Sequence, residues 1–210
     1  MRTRIKICGI TSPEDAAMAA REGADFVGVI LTDSPRRVNP ARAREIAAAL
    51  PPETLLVGVF ADEAPEVIRE AIRGLPVHAV QVAGWAGPDN GLPFEVWHVL
   101  RGSALPDPAT LPMVPLRTYL LDAYDPKRPG GTGARADWEW ARRGVNAGLR
   151  LIVAGGLKPD IVETLVLDVH PFGVDASSGL ESEVGRKDPA KIREFVRRIR
   201  EADRVRPKRS

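Results

Sequence analysis

The sequence predicts an α/β fold, a single (β/α)8 TIM barrel, and three observations carry that prediction. Eight short apolar runs alternate with helix-like segments along the 210 residues, and three helix starts repeat one grammar of cap residue followed by proline. A parallel neighbour is reached only through a crossover, so this alternation implies parallel β-α units. The length suits one closed barrel, since such domains run to roughly 200–250 residues. An open doubly wound sheet is the rival, but the GxGxxG turn of its dinucleotide-binding form does not follow the first strand.

The first strand is RIKICGI from Arg4. SPEDAAMAA follows it with Ser12 as N-cap, Pro13 at the first helical position and acidic residues in the first turn, the pattern that helix starts favour. FVGVIL from Phe26 is the second strand, and NPARAREIAAAL opens the second helix on Asn39 and Pro40. TLLVGVF from Thr54 and HAVQVAG from His78 are the third and fourth strands, and EVWHVLR from Glu95 is the fifth. Between the last two lies GWAGPDNGLP, whose two prolines and three glycines bar an ordinary helix. The helix after strand 4 is therefore expected to be reduced or missing, and SALPDPATLP after strand 5 is open to the same reading. TYLLDAY from Thr118, RLIVAGG from Arg150 and FGVDASS from Phe172 complete the eight, and DPAKIREFVRRI starts the closing helix on Asp188 and Pro189. The barrel is expected over residues 1–203, with 204–210 a flexible basic tail.

Composition narrows the function. Apolar residues make up 44% and charged residues 28%, with no run near the roughly 18 apolar residues of a membrane span and no apolar h-region behind the N-terminus. A soluble, cytoplasmic protein with no membrane partner is expected. The net charge of +2 argues against nucleic acid, and the basic C-terminus FVRRIREADRVRPKRS reads as a solvated helix face. One cysteine excludes an internal disulfide, and His78, His98 and His170 lack metal-ligand spacing. Metal chemistry is not expected.

Strand parity locates the chemistry. Side chains alternate along a strand, so Ile5 and Ile7 share one face and Arg4, Lys6 and Cys8 the other. The apolar face packs under the helices, which turns Lys6 and Cys8 inward, Cys8 at the strand end where barrel active sites lie. A buried lysine needs an acid. Closure makes strand 8 the neighbour of strand 1, so Asp175 is expected to meet Lys6. Alone, Cys8 reads as a small buried hydrophobe. Asp122, after two leucines at the end of strand 6, gives it a carboxylate at the same mouth, and such a pair suits proton transfer on a small carbon compound. Gly155 and Gly156 end strand 7, and Ser177, Ser178 and Gly179 end strand 8, where backbone N–H groups and hydroxyls commonly hold phosphate. The loop DPKRPGGTG suits a lid. DSPRRVNP carries Arg36 and Arg37 to the same mouth, where a guanidinium holds a carboxylate bidentately.

These residues resemble the phosphoribosylanthranilate isomerase family of tryptophan biosynthesis. KICGIT, GADFVGVIL, SPR before an asparagine-proline helix start, GVF, LLD with GGTG and DW, AGGL, and VDASSG followed by GRKD match it in order through nearly the whole chain. The resemblance implies a metal-free and cofactor-free Amadori rearrangement of N-(5-phosphoribosyl)anthranilate to 1-(2-carboxyphenylamino)-1-deoxyribulose 5-phosphate. It makes Asp122 the general acid and Cys8 the general base. Arg36 would hold the anthranilate carboxylate; Gly155, Gly156, Ser177 and Ser178 would hold the phosphate; Asp175, Gly131, Thr132 and Gly133 complete the substrate-binding set. Four positions depart from the family pattern: Ala83 stands for a histidine, Arg37 for an aromatic residue, His98 for a lysine near strand 5, and Ala136 for the aromatic before DW. These concern positioning and the walls around the anthranilate ring. An isomerase or epimerase of another phosphosugar and a non-catalytic phosphosugar-binding barrel are the alternatives. The expected partner is a phosphorylated amino sugar, and the expected assembly a monomer or homodimer.

Overall fold

Eight parallel strands close a barrel in chain order: β1 (Arg4–Cys8), β2 (Phe26–Ile30), β3 (Leu55–Phe60), β4 (Val77–Ala83), β5 (Glu95–Leu100), β6 (Thr118–Leu121), β7 (Arg150–Val153) and β8 (Gly173–Ala176). The computed structural model describes residues 2–83, 94–102, 104–113, 117–123 and 136–206. Helices α1 (Pro13–Arg21), α2 (Pro40–Ala48), α3 (Pro65–Ala71), α4 (Trp138–Asn146), α5 (Pro159–Val169) and α6 (Pro189–Val205) supply the crossovers and the closing layer. Among the described residues no helix is long and apolar enough to cross a membrane.

Three caps act as their sequences predict. The Ser12 side chain accepts from Asp15 N–H, Asn39 from Arg42 N–H, and Asp188 from Ala190 and Lys191 N–H, each before a proline at the first helical turn. Replacing Ser12 by alanine orphans that donor, so a loss of about 1 kcal/mol in urea unfolding is expected.

Parity sorts the core into two layers. Phe26, Val57, Ala79, Trp97, Leu120, Ile152 and Ala154 fill the barrel interior, with Phe26 and Trp97 edge-on at 5.0 Å between ring centres. Ile5, Ile7, Val27, Val29, Val80 and Val96 face outward and pack beneath the helices. Trp97 faces in, so His98 faces out, where it is buried with its ring 6.0 Å from that of Tyr119. The His98 departure therefore leaves the mouth unchanged, contrary to the expectation that it alters the wall of the substrate site.

The middle units are thin. A single 3-10 turn, Pro108–Thr110, stands where a helix would follow β5. The segment after β4 falls on residues 84–93, outside the described residues, as does the whole of the expected lid, residues 125–133. α6 continues through Arg204 to Val205, two residues assigned above to the tail, while residues 207–210 lie outside the description. Unforeseen in the sequence is an antiparallel hairpin, β9 (Glu181–Glu183) and β10 (Arg186–Lys187), between β8 and α6.

Candidate active site

Closure sets Lys6 directly beside Asp175 in the β1–β8 register. The Lys6 ammonium, fully buried, donates to Asp175 Oδ2 at 2.9 Å, as parity predicts. Cys8 follows on the same strand face, also buried. Across from both lies Gly28 of β2. A Cβ on Gly28 would stand 2.9 Å from Cys8 Sγ and 3.0 Å from Lys6 Nζ, so both polar ends crowd into the space this glycine leaves. Burial works against the Lys6 charge, but Asp175 foremost and Cys8 next outweigh it and hold the ammonium above the ordinary lysine range. Burial pushes the Cys8 thiol up, and Lys6 draws it partly back. Asp175, expected to bind substrate, spends one oxygen on Lys6; its buried Oδ1 accepts no hydrogen bond.

Arg36 reaches the same region from the loop after β2. A Cβ on Gly9 would lie 2.7 Å from Arg36 Cδ and 2.9 Å from Ser177 Oγ, which places the arginine stem, the β1 end and the β8 end together. Its guanidinium is already engaged: Nε and Nη2 donate to the two Glu181 oxygens at 2.7 and 2.8 Å. Lys187 of β10 donates to Glu181 Oε1 at 2.9 Å and to Ser177 O at 3.3 Å. Burial alone would push the Glu181 carboxyl up; Arg36 and then Lys187 overcome it and hold the group below the ordinary glutamate range. One edge of Arg36 is thus occupied, and a substrate carboxylate is left the Nη1 edge.

Asp122 sits immediately after β6, its N–H donating to Leu100 O of β5. Its Oδ1 accepts from Ala123 N–H at 2.9 Å and its Oδ2 from Arg101 Nη2 at 2.5 Å, with the pair partly exposed. Asp175 lies within electrostatic reach of both Asp122 and Cys8, so the Asp122 carboxylate, the Cys8 thiol and the buried ion pair share one mouth.

The loops after β7 and β8 meet closely. Gly155 and Gly156 both adopt left-handed backbone, φ 82° and 63°. A Cβ on Gly155 would come within 2.6 Å of the Ala123 N and Cβ, and one on Gly179 within 2.0 Å of Leu157 O. Gly155→Ala would combine a left-handed cost of about 1–2 kcal/mol with that overlap, so its unfolding free energy in urea is expected to fall by at least as much. Ser178 opens the 3-10 turn Ser178–Leu180, next to Ser177. Gly131, Thr132 and Gly133 lie outside the described residues. Of the departures, Ala83 ends β4 on the inward face, Arg37 is exposed and Ala136 is buried beside α4.

Arg101, Glu181 and Lys187 were not singled out in the sequence. Arg101 follows β5 at the end of its run; Glu181 and Lys187 lie in a hairpin with no alternating pattern. The one available signal was proximity to DASSG and GRKD.

The family model for N-(5'phosphoribosyl)anthranilate (PRA) isomerase matches residues 5–198. A relative of that name from Trichlorobacter lovleyi is 43% identical over 202 residues, 95% of this chain and 98% of that protein. The crystal structure of phosphoribosyl anthranilate isomerase from Thermus thermophilus superposes with a TM-score of 0.82 at 34% identity, covering 95% and 99% of the two chains. A further solved structure, at 30% identity and TM-score 0.78 over 95% and 99%, is of phosphoribosyl anthranilate isomerase in complex with reduced 1-(o-carboxyphenylamino)-1-deoxyribulose 5-phosphate. With a closed barrel, an inward thiol and carboxylate at its mouth and these likenesses over nearly its full length, the chain belongs to the phosphoribosylanthranilate isomerase family, enzymes of tryptophan biosynthesis.

Proposed function

We propose that Asp122 and Cys8 are the acid and base of the Amadori rearrangement of N-(5-phosphoribosyl)anthranilate. The observation that supports this most is the convergence of the β1 and β6 ends on one mouth around Asp175. Asp122 gives a proton to the furanose ring oxygen; the C–O bond breaks and the nitrogen lone pair forms the C=N bond of a Schiff base. Cys8, as thiolate, removes the proton from C2, and the electron pair moves through C1 to nitrogen, leaving an enolamine. Ketonisation returns a proton to C1 and releases one from the C2 hydroxyl, giving the ketose. The chemistry so written needs no metal or cofactor.

The remaining residues hold the ends of the substrate. Arg36 offers its Nη1 edge to the anthranilate carboxylate, while Glu181 fixes the other edge. Gly155, Gly156, Ser177 and Ser178 present N–H and hydroxyl donors to the phosphate, and Gly131, Thr132 and Gly133 belong to the substrate-binding set by family resemblance. We read the chain as cytoplasmic, a monomer or homodimer, with no nucleic-acid partner.

The test uses two ligands. Wild type should turn over N-(5-phosphoribosyl)anthranilate with loss of its fluorescence and bind the reduced product analogue. Arg36→Met should weaken that analogue about ten- to hundredfold, the worth of a charged hydrogen bond, and leave ribulose 5-phosphate, which lacks the carboxylate, unaffected. Equal weakening of both ligands defeats the carboxylate role.

A further inference from the structure

We propose that Lys6 is a positioning residue whose ammonium serves as the counter-charge of the Cys8 thiolate, and that Asp175 sets how much of that charge the sulfur receives. The proposal rests on reading Cys8 as the base. Its ground is geometric. The Cys8 sulfur and the Lys6 nitrogen each lie within 3.0 Å of one point above Gly28, and the Lys6 nitrogen also donates to Asp175 at 2.9 Å. The ammonium thus stands between a thiol and a carboxylate, with no water-exposed surface of its own.

Charge counting explains why an ammonium is placed there. The groups facing Cys8 are Lys6 on its own strand, Asp175 on β8, Arg36 from the loop after β2 and Lys187 on β10, and Glu181 on β9 pairs with the last two. Asp122 after β6 forms a neutral pair with Arg101. Among the described residues, three cations face two anions: Arg36 and Lys187 share Glu181, and Lys6 has Asp175. One positive charge is in excess inside a barrel, where an unbalanced charge is costly. A thiolate on Cys8 brings the group to neutrality. Proton removal from C2 reverses the balance as it proceeds, since the sulfur becomes neutral while the substrate gains the electron pair next to the same cations.

An ion pair with a purely structural task predicts that loss of either partner harms the site in the same way. A shared counter-ion predicts opposite signs. Removing Lys6 takes the cation from the sulfur, whereas removing the Asp175 charge leaves the cation wholly to it.

Because Cys8 is the chain's single cysteine, its ionisation can be followed directly by far-ultraviolet thiolate absorbance against a Cys8→Ser blank, without substrate. Lys6→Met is expected to raise the titration midpoint by about 1–3 pH units, the usual effect of losing an adjacent opposite charge, and Asp175→Asn to lower it. If Lys6→Met fails to fold with its carboxylate orphaned, Lys6→Met/Asp175→Asn removes both charges; its midpoint should lie above that of Asp175→Asn alone, which isolates the lysine. The rising limb of kcat/KM against pH should move with the midpoint in each variant that turns over. A midpoint unmoved by loss of Lys6, or shifts of the same sign in the two single variants, overturns the proposal and leaves Cys8 as base. Full turnover by Cys8→Ala does the reverse, ending the base assignment while the coupling measured by absorbance stands.

Discussion

Cys8→Ala is expected to lower kcat by about 10²–10⁴-fold while the protein stays folded. The size follows from the task. On the proposed reading Cys8 is the base at the C2 proton, Lys6 is an ammonium paired with Asp175, and Asp122 is held by Arg101. Stability changes little by comparison: trimming one buried sulfur removes about as much apolar surface as a methylene group, roughly 1 kcal/mol. Cys8→Ser sharpens the test, since its alcohol fills the same space and does not ionise near neutral pH. Fluorescence turnover together with thermal unfolding separates the two effects, and wild-type rates in Cys8→Ala would end the assignment. The pH dependence has a defined sign. Burial pushes the thiol up and only part of this is recovered from Lys6, so the thiolate fraction grows toward alkaline pH. The base acts deprotonated, and kcat/KM of the free enzyme should therefore climb on its acidic limb as pH rises through the thiol's ionisation.

Asp122→Asn is expected to cost a similar 10²–10⁴-fold in kcat, with KM changed far less. The amide matches the carboxyl in shape and can still accept from Ala123 N–H, so orientation survives while the transferable proton is lost. The neighbouring arginine gives the test a second arm. Arg101 donates to Oδ2 and occupies one lone pair of that oxygen. Arg101→Met frees Oδ2 and should retain far more activity than Asp122→Asn. Equal losses would mean that the ion pair, and not the proton, is what the site needs. Steady-state kinetics at several pH values distinguish the two.

The fold was legible because its signals are local and repeated. Caps at Ser12, Asn39 and Asp188 announce helices, and the alternation of Ile5, Lys6, Ile7 and Cys8 announces which side of β1 meets the barrel axis. The Lys6–Asp175 contact was legible for the same reason, closure being a topological necessity once eight strands are read. Trp97 and His98 defeated parity, because a strand with large side chains on both faces does not say which one is inside. The β9–β10 hairpin was illegible since nothing in ESEVGRK alternates; it is held by a contact distant in sequence, Lys187 N–H on Asp15, and by the Lys187 ammonium on Glu181 across the hairpin. The engagement of Arg36 by Glu181 was hidden for that reason too, as it spans 145 positions.

The Lys6–Asp175 contact joins residues 169 apart, the first strand to the last. On the proposed reading, turnover therefore needs both ends of the chain at once. A nascent chain released before β8 would hold the thiol and Arg36 but neither the serines nor the carboxylate beside Lys6. A C-terminal fragment would hold Asp122 and both anion loops but no base. Two inert pieces that regain turnover only when mixed would make the isomerase a reporter of its own assembly.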